Sequence, residues 1–234
     1  MFNKMFSPEN VAEALTILKE EVPFALWETT YATLLATAFA ILLGLPFGIL
    51  LVVGEKDGVL PLPKGVMYVL NVVINLLRSV PFLLLMILAF PLTRVILGTT
   101  VGTAASIVPL VIAAFPFVAR LVESSLREIN PNIVEMAQSM GASPMQIIVK
   151  VMLPESIPSL ISNFTIAITT ILGYTAMSGT IGGGGLGKIA INYGYHRYKY
   201  LVMLIAVIIL IVLVQVFQSV GTKLAVKLDR RIKH

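Results

Sequence analysis

The sequence predicts an all-α integral membrane protein with five transmembrane helices, on three observations. Of 234 residues, 57% are hydrophobic and only 12% are charged, against about 25% charged in an ordinary soluble domain. Several apolar runs reach the ~20 residues that cross a bilayer as a helix. Small residues recur every fourth position in the first run (Ala32, Ala36, Ala40, Gly44, Gly48), the helical spacing that lets a second helix approach closely in lipid. With mean hydropathy at +0.93, there is room for one compact membrane domain and no separate soluble one. Cysteine is absent, which excludes disulfides, thiol chemistry and cysteine metal sites. His196 and His234 alone do not make a zinc site. The net charge of +5 reads as basic cytoplasmic loops rather than a nucleic-acid surface. The N-terminus lacks the pattern of a signal peptide.

Residues 7–22 read as an amphipathic helix on the membrane surface. Ser7 can cap it, Pro8 suits its first turn, and Val11, Ala14, Leu15, Leu18 and Val22 share a face. The first span is about 27–53. A loop over 54–65 follows, with Lys56, Lys64, Gly58, Pro61 and Pro63. Residues 66–97 are too long for one untilted span. The second span falls within 70–93, with Pro81 as a break after Ser79. The third is expected over 101–119, with Pro109 and Pro116 inside it, tolerated where neighbouring helices satisfy the freed carbonyls. The fourth is about 157–177 and the fifth about 200–217. This divides the chain into an external surface segment (1–25), a membrane domain (26–221) and a basic cytoplasmic tail (222–234).

Five spans put the termini on opposite sides. Lys223, Lys227, Arg230, Arg231 and Lys233 place the C-terminus in the cytoplasm and the acidic N-terminus outside. Arg120, Arg127 and Lys150 then lie on the cytoplasmic side; Lys188, Arg197 and Lys199 fit this orientation less well.

The segment "EMAQSMGASPMQIIVKVMLP", Glu135–Pro154, is the least membrane-like part of the chain. Asn130 and Pro131 begin a helix that runs through Glu135 and Ala137 to Met140, and Gly141 can end it in the left-handed conformation. Ser143 caps a second helix, with Pro144 first and Gln146 completing a capping box. Pro154 is expected to end that helix near Leu153. Two short helices thus meet at a fixed elbow on the cytoplasmic side. A flexible surface loop needs none of these devices; a docking element does.

The same segment resembles the cytoplasmic motif of binding-protein-dependent ABC importer permeases. That motif is Glu-Ala-Ala, three residues, Gly, nine residues, Ile, one residue, Leu-Pro. Here it reads Glu135-Met136-Ala137, Gly141, then Val151, Leu153 and Pro154. "RSVPF" at 78–82, "ARLVESSL" at 119–126, "GYTAMSGTIGGGGLG" at 173–187 and "YGYHRY" at 193–198 extend the likeness to permeases of the methionine-importer kind, over nearly the whole chain from Leu26. The resemblance implies a type I ABC importer permease fold in a bacterial inner membrane. It implies a homodimer working with two ABC ATPase subunits and an extracytoplasmic methionine-binding protein. The chain would bind no cofactor itself; ATP and Mg would sit on the partner ATPase. Alternating access would move L- or D-methionine, with no bond chemistry in this chain. The residues it places against the ATPase are Glu135, Ala137, Gly141, Ala142, Ser143, Pro144, Met145 and Gln146, with Leu153 and Pro154 closing the motif. A permease for another small metabolite, or a secondary carrier, are the alternatives.

Other features are read more plainly. "GGGGLGKI" at 182–189 imitates a phosphate loop, but Ile189 stands where a hydroxyl residue must hold magnesium. The run is either a close-packed turn or a flexible element at the outer mouth. Asn71, Asn75 and Arg78 share one helix face, as a pathway lining or as an interfacial helix with a snorkelling Arg78. Tyr174 and Ser178 join Asn71 and Asn75 as candidates for the substrate pathway. Most of the ten methionines are read as packing. No carboxylate falls in the middle of a span, which argues against proton coupling and for an energy source on a partner.

Overall fold

The computed structural model describes residues 8–229, and among them helices account for nearly all regular structure, with no strand. Expectations for Ser7, for the basic residues 230, 231 and 233, and for His234 lie outside the described residues. The helices are α1 (Pro8–Glu20), α2 (Val22–Val53), α3 (Lys64–Ser79), α4 (Phe82–Leu88), α5 (Phe90–Leu97), α6 (Thr103–Arg127), α7 (Pro131–Ser139), α8 (Pro144–Ile147), α9 (Leu153–Ser178), α10 (Gly185–Ile189) and α11 (Tyr200–Leu228). Four stretches are long and apolar enough to cross a membrane, and a fifth is reached by counting the broken pair α3 and α4 as one span. The expected five spans therefore include one that is interrupted. The break falls at Pro81: Val80 turns extended (φ −77°, ψ 128°), as the residue before a proline prefers.

Several boundaries differ from the sequence reading; the first span begins at Val22 rather than near 27. The third span runs to Arg127 rather than stopping near 119, because Arg120, Glu123 and Arg127 pair along one helix face at three- and four-residue spacing. Pro154 does not end the elbow's second helix; α8 continues through a π-helical turn, Ile148–Met152, straight into α9. The Leu153 N–H donates to the Ile148 carbonyl, so the wider turn accommodates a proline that an α-helical ladder would resist. Residues 222–228, expected as tail, continue α11 to Leu228.

The chain separates into two units. The first comprises residues up to 38, 81–112 and 168–217. Its core gathers Ala14 and Ile17 of α1, Val22 and Ala25 of α2, Leu186 and Ile189 of α10, Tyr193, and Val202 and Ala206 of α11. The amphipathic α1 thus buries its apolar face on protein. Ile17 replaces the expected Leu15, which is exposed. Lys199 pairs with Glu13, and the Tyr193 hydroxyl donates to Glu21. That hydrogen bond, with burial, pushes the Tyr193 phenol above its ordinary pKa. The glycine run is a close-packed turn: the Glu28 carboxylate accepts from the Gly185 N–H (2.8 Å) and the Thr103 hydroxyl (2.6 Å). The Leu186 N–H donates to Thr29 Oγ1 (2.9 Å). Gly182 and Gly185 have φ of 96° and 78°, which only glycine adopts without strain.

The second unit comprises 39–80, 113–167 and residues from 218. Here the small-residue stripe meets α6. Ala40 is fully buried, and a methyl group added at Gly44 or Gly48 would strike Val118 or Val122 and the carbonyls of Phe115 or Ala119. Leu51, Ile74 and Ala119 form its buried apolar cluster.

Candidate coupling site

The elbow is built by local chemistry. Asn130 Oδ1 accepts from the Asn132 N–H at 3.0 Å and Pro131 opens α7, since a proline at this point sacrifices no helical bond. The helix closes in a Schellman arrangement: the Gly141 N–H reaches the Gln138 carbonyl (2.9 Å) and the Ala142 N–H the Ala137 carbonyl (3.1 Å). Gly141 stands at φ 78°. The reciprocal capping box follows, with the Ser143 N–H donating to Gln146 Oε1 (2.9 Å) and the Gln146 N–H to Ser143 Oγ (3.4 Å). All three devices anticipated from sequence are present.

Ala137, Ile147 and Ile148 face inward. Glu135, Gly141, Ser143, Pro144, Met145 and Gln146 are exposed, Ala142 and Leu153 are half-buried, and Pro154 is exposed. Met136, Met140 and Met145 project into solvent with 60%, 80% and 65% of their surface open. Three flexible thioether side chains on a rigid turn make an adaptable apolar knob suited to a partner's groove.

Behind the elbow lies a polar cluster that sequence reasoning did not assemble. Arg127 Nη2 lies 2.6 Å from Glu55 and 2.9 Å from Glu123, and Arg120 Nη1 lies 2.6 Å from Glu123. Arg120 Nη2 donates to Asn71 Oδ1 and Asn75 Oδ1, both at 2.9 Å. The Arg120–Glu123–Arg127 spacing was visible in the sequence. Glu55, Asn71 and Asn75, from 45 to 72 residues away, were not connected to it by any local signal.

Two of the four pathway candidates lie in each unit. Asn71 and Asn75 belong to the second unit and are spent on Arg120; Arg78, on the same helix, is exposed. In the first unit Tyr174 stacks on Phe82, with ring centroids 4.4 Å apart and 4° between planes. Ser178 is fully buried and its hydroxyl donates to the Thr175 carbonyl at 2.7 Å. Among the described residues no group of His, Cys, Asp and Glu could hold a metal ion.

The chain is polytopic, with one broken span and a capped elbow between two of its spans. Comparison with known proteins fixes the family. The model of the binding-protein-dependent transport system inner membrane component matches residues 44–233, and the chain belongs to that family. It is a transport subunit of the membrane, not an enzyme. A probable D-methionine transport system permease protein of Vibrio cholerae is 50% identical over 210 residues, 88% of this chain and 92% of that protein. The methionine import system permease protein of Bacillus subtilis is 40% identical over 72% of this chain and 76% of its own length. Among solved structures, an inward-facing MetNI methionine ABC transporter aligns with TM-score 0.85 and 41% identity, over 87% of this chain and 94% of that one. An amino acid ABC transporter with histidines aligns at TM-score 0.69 and 21% identity, a likeness of fold.

Proposed function

We propose that the chain is the membrane-spanning permease of an ATP-driven methionine importer, acting as a homodimer with two ATPase subunits and an extracytoplasmic binding protein. The observation that carries this reading is the elbow, whose Schellman turn and capping box hold an exposed methionine knob rigid between two spans. The names of the relatives supply the substrate.

Glu135 and the residues from Gly141 to Gln146 enter a groove of the ATPase, while Ala137, assigned there by the resemblance, packs inside the elbow; ATP and Mg are held by the ATPase, and this chain needs no cofactor. ATP-driven closure of the two ATPases draws the two elbows together and shifts the spans between inward- and outward-open states. Such a shift is a change of population set by differential binding to the two states. The C-terminus lies in the cytoplasm and the N-terminus outside, in line with Lys223 and Lys227 near the end of α11. The stacked pair Tyr174 and Phe82 offers an aromatic face of the kind a thioether favours.

The test is uptake of labelled L- and D-methionine into vesicles containing the permease, its ATPase and its binding protein. ATP-dependent accumulation is expected. Transport by the permease alone, or ATP-driven uptake of other amino acids in preference to methionine, refutes the reading.

A further inference from the structure

One unbroken chain of charge-assisted hydrogen bonds joins three segments of the second unit. The Arg127 guanidinium grips both Glu55 oxygens (2.6 and 3.3 Å) and also reaches Glu123 Oε1 (2.9 Å). The other Glu123 oxygen accepts from Arg120 (2.6 Å), which passes the connection to Asn71 and Asn75. Glu55 lies in the loop after α2, the asparagines lie on α3, and Arg127 stands just before Asn130, the cap of the elbow. Packing joins α3 to α2 and α6 through Ile74, Leu51 and Ala119 but leaves a gap at the elbow. A cavity of about 570 Å³, lined among others by Val59, Asp57, Glu135, Gln138 and Met152, separates the elbow's first helix from the 52–59 segment. The ion pairs bridge its edge.

The residue types fit this role. A guanidinium fork holds two acceptors at fixed angles, whereas a lysine ammonium acts as a mobile point charge. Glu123 is largely buried, its side chain 12% exposed, so the three hydrogen bonds it accepts from the two arginines are screened little by solvent or salt.

We infer that Arg127 and Arg120 are positioning residues that make the elbow and α3 move as one body. Displacement of the elbow by the ATPase then reaches α3, the half of the interrupted span that precedes Val80 and Pro81. The inference rests on the coupling role of the elbow proposed above.

The experiment uses the full complex in vesicles and reads substrate moved per ATP hydrolysed, with the thermal midpoint of each sample. Arg127→Gln and Arg120→Gln are each expected to lower that ratio on the order of fivefold, within the range by which residues along a coupling network modulate it. Arg127→Lys should restore part of the loss. Should these variants fold poorly, Arg120→Met combined with Glu123→Met removes the central pair without leaving a buried charge alone, and the same fall is expected. A wild-type ratio in a folded variant overturns the inference, whatever happens to the midpoint. Gly141→Pro serves as the reference. If it lowers the ratio while the arginine variants do not, only this inference fails. If it too leaves the ratio intact, the coupling role of the elbow fails and this inference with it.

Discussion

Gly48→Ala tests the packing of the first span with a single methyl group. An added Cβ at Gly48 would stand 2.5 Å from the Ala119 carbonyl oxygen and 2.5 Å from Val122 Cβ. Ordinary contacts between such atoms lie at ~3.5–4.0 Å. Ala119 is inside helix α6 and its carbonyl cannot rotate away, so α2 and α6 must separate by on the order of 1 Å over the contact. Overpacking of this kind costs about 1–3 kcal/mol. At about 2–4 °C per kcal/mol for a chain of this size, the thermal midpoint should fall by roughly 2–12 °C. Gly44→Ala, with Val118 Cβ at 2.8 Å and the Phe115 carbonyl at 2.9 Å, should show a smaller drop. Gly65→Ala meets nothing within 4 Å, and Leu42→Phe lies on a face 67% exposed; neither should lower the midpoint. The assay is thermal unfolding in detergent, read by the fraction surviving size exclusion. If Gly48→Ala melts with Gly65→Ala and Leu42→Phe, the four-residue spacing is coincidental and the close approach of the two helices is wrong.

Gly141→Ala places a side chain at φ 78° with no neighbouring atom in the way. It should therefore cost about 1 kcal/mol from backbone strain alone and reduce uptake with little change in the amount of protein in the membrane, checked by uptake assay against a blot. Tyr198 occupies φ 56°, so Tyr198→Asn or Tyr198→Gly should raise stability by about 1 kcal/mol, read as a higher melting midpoint. Glu28→Ala leaves the Gly185 N–H and the Thr103 hydroxyl without their acceptor and should cost about 1–3 kcal/mol. Glu28→Gln keeps one acceptor oxygen and should recover part of that, in the same melting assay.

How much of this was legible in the sequence depends on the range of the interaction. The elbow was readable because each of its parts is settled within a few residues: a cap by Asn130, a left-handed turn by Gly141, a box by Ser143 and Gln146. The break at Pro81 was readable for the same reason. Pro154 misled because its usual effect assumes an α-helical ladder, and the π turn at Ile148–Met152 removes that assumption. The third span was read short because Arg120, Glu123 and Arg127 look like loop charges until paired with one another. The apolar face expected over 7–22 was read correctly at Ala14, Leu18 and Val22 but with Leu15 in place of Ile17, since the two are equally apolar and only the protein surface beneath decides between them.

The interior polar contacts obey a different logic. Asn71 and Asn75, with Arg78 on the same face, read from sequence either as a pathway lining or as an interfacial helix, and both readings predict the same local pattern. In the structure both Oδ1 atoms accept from Arg120. To free the Oδ1 that Arg120 holds at 2.9 Å, either amide must break that bond, although its NH2 group remains able to donate. Breaking a hydrogen bond to a charged group costs about 1.5–3 kcal/mol, a poor starting point for a site that must bind and release in every cycle. The same cost suits a strut, which has to hold its geometry while the helices around it move. On the inference drawn above, the polar residues of α3 serve the elbow's support, and the stacked pair Phe82 and Tyr174 is the site we propose to test for contact with substrate.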